Sequence, residues 1–213
     1  MEFFLSLVIS GLMIGVIYGL VAVGFVIIYK CSGVLNFAQG EMLLIGGYIV
    51  WTLIIPFGLP VWLAIICGLA VAFLLGWAIQ RFALQPLTGE SILALIMATI
   101  ALSQVFHGAA ITIWGSNPRV HAGIMPSAPF QMGIFTLSTE HLYACVVAIL
   151  LLIAFVLFFR YSRWGLAMRG VAEGHQIVRS MGISVRTIIA LAWAIAMMIA
   201  TVGGILMGSI IGF

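Results

Sequence analysis

The sequence predicts an all-α fold, a polytopic transmembrane helical bundle of about six spans with its N-terminus outside. Three observations lead there. Hydrophobic residues make up 65% of the chain and charged residues 6%, whereas a soluble domain carries about 25% charged residues, so the solvent that suits this chain is lipid. Apolar runs, mostly near the ~20 residues that cross a bilayer as a helix, recur along the whole length. Basic residues cluster between Arg160 and Arg186, which is how cytoplasmic loops are marked.

The first run is Phe3–Tyr29. Glu2 stands where a cleavable signal would place Lys or Arg. The apolar stretch also exceeds a signal's core of about 7–15 residues, so this segment is expected to remain as a span. Gly11, Gly15 and Gly19 repeat every fourth residue. On a helix that spacing makes a side-chain-free stripe for close helix approach, expected mainly within the chain. The second run, Val34–Ile55, is interrupted by Asn36, Gln39 and Glu41. Its clean part, Met42–Ile55, is too short to cross as a straight helix. Gly33–Glu41 is therefore expected to contribute as a broken or re-entrant piece buried against protein.

Val61–Gln80 and Ser91–Trp114 form the third and fourth runs. The fourth carries Thr99, Ser103, Gln104 and His107. Thr99 and Ser103, and Ser103 and His107, share a helix face at four-residue spacing. The loop Gly115–His141 is the only sizeable external segment expected. Leu142–Phe159 is the fifth run and Ile188–Phe213 the sixth, which repeats the glycine spacing at Gly204, Gly208 and Gly212. All six prolines fall between runs, as expected of a residue that breaks helices. Trp51, Trp62, Trp77, Trp114 and Trp164 lie near run ends, where an interfacial aromatic belt belongs. If the Arg160–Arg186 segment is cytoplasmic, alternation puts Lys30 and Arg81 inside too and only Arg119 outside.

Chemistry is conspicuous by what the sequence omits. It has no HExxH, GxSxG or P-loop, and no aspartate. His107, His121, His141 and His175 include no i, i+4 pair for a metal, so no metal, cofactor or catalytic residue is assigned. Cys31, Cys67 and Cys145 sit in or beside apolar runs without a CxxC partner and read as buried small residues. The net charge of +3 reflects membrane orientation and not nucleic-acid binding. Three stretches remain. Asn36, Gln39 and Glu41 either line a polar translocation path or form a cytoplasmic turn with Glu41 opposite Lys30; a carboxylate at membrane depth costs about 2.5–3.5 kcal/mol and generally faces protein or water. Thr99, Ser103, Gln104 and His107 either pack by hydrogen bonds or touch that path. Arg160–Arg186 is either an amphipathic element on the cytoplasmic surface or a solvated, orientation-setting loop. Glu173 follows Arg169 by four residues, the spacing of a helical ion pair, and Gly182 suits a left-handed helix end.

GLMIGVIYGLVAVGFVIIY followed by GVLNFAQGEMLLIGGY resembles the N-terminal signature of the branched-chain amino acid ABC transporter permeases, the Liv type. SRWGLAMRGVAEGHQIVRSMGISV resembles that family's cytoplasmic loop, and the likeness spans essentially the whole chain. It implies a single permease domain over 1–213 with a cytoplasmic coupling loop at 160–187. It also implies an importer subunit that pairs with a second permease, binds two cytoplasmic ATPase subunits and receives solute from a periplasmic substrate-binding protein. The setting would be the bacterial inner membrane and its lipid. Arg169, Glu173 and Gly182 would match the coupling element. Asn36, Phe37, Gln39, Gly40 and Glu41 match the early motif. Glu173 is followed by Gly174 and His175, which fits the Liv-type variant and not the general Glu-Ala-Ala pattern of importers. Family members continue with further spans, so the chain is expected to lack the C-terminal part. The rivals are a secondary transporter or channel for small polar solutes, an intramembrane enzyme acting through Glu41 or His107, and a purely structural subunit. Urea and short amides are alternative solutes.

Overall fold

A computed structural model describes residues 2–117, 129–132, 135–174, 178, 180–210 and 212. Seven helices follow one another in it: α1 Glu2–Ser32, α2 Gln39–Ile54, α3 Val61–Ala78, α4 Ile92–Trp114, α5 Thr139–Tyr161, α6 Arg163–Glu173 and α7 Val185–Ile210. Five of them are long and apolar enough to cross a membrane, and α2 is a shorter apolar helix. Among the described residues the β-structure is a single hairpin, β1 Pro129–Met132 paired antiparallel with β2 Phe135–Ser138. It lies in the loop expected at 115–141, and β2 runs straight into α5.

α7 is the hub, in contact with α1, α2, α3, α5 and α6. Its composition explains why. Ala190, Ala192, Ala194, Ala196, Ala200, Gly203, Gly204 and Gly208 are all buried, and small residues let helices approach where lipid offers no hydrophobic drive for packing. At Gly204 an added Cβ would strike the Leu43 carbonyl oxygen and come within 3.0 Å of the Gly47 nitrogen. At Gly76 of α3 it would lie 2.7 Å from the Ala194 Cα. Trp193, fully buried, fills the space beside these crossings with Met42, Met197 and Ile28.

The two glycine stripes have different fates. Gly204 and Gly208 are buried, whereas Gly212 lies beyond the end of α7 with φ +84°. Gly11, Gly15 and Gly19 are exposed, and a Cβ at any of them would meet nothing within 4 Å. The expectation of a seam packed within the chain is thus corrected for α1. Its neighbours engage the adjacent face instead, through buried Ile17 and Leu20. The glycines of α1 that matter for internal packing include Gly24, where a Cβ would lie 2.9 Å from Gln39 Nε2.

Basic residues gather at one end of the bundle. The Cys31 thiol at the end of α1 donates to the Met168 carbonyl of α6, 3.9 Å away, which sets Lys30 beside the Arg160–Arg186 segment. Gly76 abuts Trp193 and Ala194 early in α7, so Arg81 falls at that end too. Cys31, Cys67 and Cys145 are free.

Candidate translocation wall and coupling surface

The early polar motif does not form a surface turn. α1 continues from Gly24, level with Gln39, to Ser32, about 12 Å further at 1.5 Å per residue. Gly33 then reverses the chain with φ +70°, and its N–H bonds the Tyr29 carbonyl at 2.8 Å. Residues 33–38 climb back without regular structure before α2 starts inside the bundle. Backbone at that depth must find partners within the protein, and Asn36 supplies several. It is 1% exposed. Its Oδ1 accepts from Ala38 N at 3.1 Å, and its Nδ2 donates to Gln39 Oε1 at 3.1 Å and lies 3.1 Å from Met42 Sδ. From α4, Thr99 Oγ1 donates to the Leu35 carbonyl at 3.0 Å and accepts from Phe37 N at 3.4 Å. The re-entrant piece is thereby tied to α4.

α4 touches the bundle chiefly along α2, and polar contacts mark that seam. Thr99 holds one end. At the other, Trp114 Nε1 donates to Thr52 Oγ1 at 2.6 Å while its ring stacks on Tyr48 with centroids 5.0 Å apart. Between them His107 Nδ1 lies 3.3 Å from Glu41 Oε1. Glu41 therefore faces α4 and not Lys30. These contacts differ from those of a turn that sets Glu41 opposite Lys30. Gln104 is exposed on α4 three residues before His107, and Gln39 is buried against α1 with Nε2 lacking a partner. Glu41, His107 and the re-entrant Asn36 thus come together on the α2–α4 side, with Gln104 nearby on the same helix. Tyr48, Thr52 and Trp114 were missed in the sequence, since an isolated Tyr or Thr in an apolar run gives no signal and Trp114 read as an interfacial anchor.

At the basic end, α6 is capped by Ser162, whose Oγ accepts from Gly165 N at 2.8 Å. Met168 and Val171 are buried with Ile27 and Cys31 of α1 and Val185 and Ile188 of α7. Leu166 on the opposite face is exposed, as are Trp164 in the first turn and the following Met181. Over Arg163–Glu173 the chain is an amphipathic helix and not a solvated loop. Two details differ from expectation. Arg169 does not pair with Glu173; its Nη2 donates to the Arg160 carbonyl at 3.0 Å, because that carbonyl at the end of α5 is within reach and has lost its helical partner. α6 also ends earlier than Gly182, at Glu173, and Gly182 with φ +77° closes the next turn, where Ile183 N bonds the Val178 carbonyl at 3.3 Å. Arg163, Leu166, Arg169, Glu173, Met181 and Ile183 rim one groove of about 380 Å³. His175 lies outside the described residues.

A family model described as "Branched-chain amino acid transport system / permease component" matches residues 7–213. The chain belongs to this family. Similar proteins include the high-affinity branched-chain amino acid transport system permease LivH of Escherichia coli K12, 28% identical over 99% of this chain and 72% of that protein. BraD of Pseudomonas aeruginosa, named for the same kind of system, is 30% identical over 96% of this chain and 71% of its own length. A probable LivH of Methanocaldococcus jannaschii is 28% identical over 87% of the chain and 60% of the relative. No solved structure matches the chain. As a branched-chain-type permease the protein is a multi-pass membrane subunit of an ABC importer, a transporter component and not an enzyme.

Proposed function

We propose that this permease carries branched-chain or related amino acids across a bacterial inner membrane, driven by two cytoplasmic ATPases and supplied by a periplasmic binding protein. The observation that carries the reading is the polar seam between α2 and α4. Ionisable and amide groups within spans face protein or water and mark solute paths, and Glu41, His107 and Gln104 are accessible on this one side of the bundle. On this reading Asn36 and Gln39 brace the wall, while Glu41, Gln104 and His107 line it. A second permease subunit covers the open face of α4, and the exposed glycine stripe of α1 offers another close approach to protein or lipid.

The groove around Arg169 and Glu173 is the natural docking surface for an ATPase. Met168 and Val171 fix α6 to α1 and α7, so a push on Leu166 and Met181 is transmitted to both spans. Sidedness follows from the basic end, which the positive-inside tendency places in the cytoplasm. The test is co-purification with the ATPase subunits and ATP-driven uptake in proteoliposomes. Leu166→Glu with Met181→Glu should abolish both while leaving the melting temperature of the permease unchanged. Uptake that persists without nucleotide, or with the ATPases absent, would point to the secondary transporter or channel.

A further inference from the structure

We infer that Glu41 and His107 form a displaceable pair that reads the two charges of a zwitterionic solute; this rests on the α2–α4 seam being part of the path. The pair lies between the Thr99–Leu35 and Trp114–Thr52 contacts, well within the length of α4. Were it only a structural clip, it would be sealed and fully used. It is neither. The side chains are 23% exposed for Glu41 and 55% for His107, and Glu41 Oε2 is enclosed by protein without a hydrogen-bond partner. Gly40 and Gly108, the immediate neighbours of the two residues, border open space, with nothing within 4 Å of a Cβ at either.

Charge balance selects the ligand. Glu41 offers a carboxylate and His107 an imidazole N–H 3.3 Å apart, one partner for each sign of charge. A solute carrying a single charge would satisfy one member and strand the other. An α-amino acid brings both signs. Its ammonium replaces the imidazole at Glu41 Oε1, and its carboxylate accepts from the freed imidazole N–H. Neither contact involves the solute side chain, so this pair discriminates by head-group charge and leaves side-chain choice to other parts of the system.

The assembled transporter labelled with ¹⁵N-histidine tests this directly. The His107 resonances, assigned by their loss in His107→Gln, should shift with L-leucine at a concentration at least tenfold lower than with L-leucinamide or 4-methylpentanoate, which each keep one charge. In Glu41→Gln, and in the second variant Glu41→Asp if the first fails to assemble, the preference for L-leucine over 4-methylpentanoate should shrink at least fivefold. No shift with L-leucine, or an equal response to either analogue, overturns the inference. ATP-driven leucine uptake by the unmodified transporter, measured on the same preparation, separates that failure from failure of the transport reading itself.

Discussion

At the scale of single residues, the atoms that hold the re-entrant piece are few. Thr99 Oγ1 serves both the Leu35 carbonyl and the Phe37 N–H. Thr99→Val keeps the shape and removes both contacts, leaving the part-buried Leu35 carbonyl unpaired, which costs up to about 1–3 kcal/mol. A thermal melt of the purified permease should therefore show a lower transition, and an unchanged one would mean that water replaces the hydroxyl. Gly46 is tighter still. A Cβ there would clash with the Thr201 hydroxyl and come within 2.6 Å of the Thr201 Cα. Because backbone as well as side chain is in the way, Gly46→Ala should destabilise by about 1–3 kcal/mol. Thr201→Ala in the same chain should restore only part of the loss, as measured by the midpoint of thermal aggregation.

Among the elements, α6 is the one whose stability and purpose separate most cleanly. Its N-terminus depends on the Ser162 cap and its docking on Met168 and Val171. Ser162→Ala should weaken it by about 1 kcal/mol, read as faster amide exchange confined to 163–173. Apolar residues set among the arginines made this helix one of two readings open to the sequence, the other being a solvated loop. Its partner choice was not legible. Arg169 and Glu173 have the spacing of an ion pair, yet the end of α5 presents a carbonyl closer to the guanidinium than the exposed Glu173. The same limit applies to α1. The four-residue glycine spacing shows that one face is bare, but nothing local says whether this chain or another fills it. By contrast the broken second run was legible, because Met42–Ile55 is simply too short and the polar triplet before it needs partners.

For the whole molecule, the architecture is unequal. α7 is enclosed on most sides, while α4 rests mainly on α2 and is otherwise open, with Thr99 and Ala110 its only buried residues. Segments with few buried contacts open first. The purified chain in detergent should accordingly exchange the amides of α4 well before those of α7, and adding the second permease should slow α4 selectively. Equal rates in the two helices would remove α4 as the side that a partner covers. The bundle and its basic end could be foreseen from composition and charge. The identity of α7 as the hub could not, because a run rich in Ala and Gly is no more apolar than its neighbours and only three-dimensional crossing shows what small residues are for.

The brevity of α2 bears on how the chain is made. Its 16 residues form about 24 Å of helix, short of the ~30 Å hydrocarbon thickness, and its start is coated with amides and a carboxylate. Such a segment is a poor candidate for partitioning into lipid when it leaves the ribosome. Its polar start faces α4, and its glycine face packs on α7, which is synthesised about 130 residues after the end of α2 by the spacing of Ile54 and Val185. Nascent chains released before residue 185 should therefore hold α2 loosely, accessible to water-borne thiol reagents at Ile45→Cys, a position buried with Trp193, Met197 and Ala200 in the complete bundle, and should shield it only once α7 has been laid down.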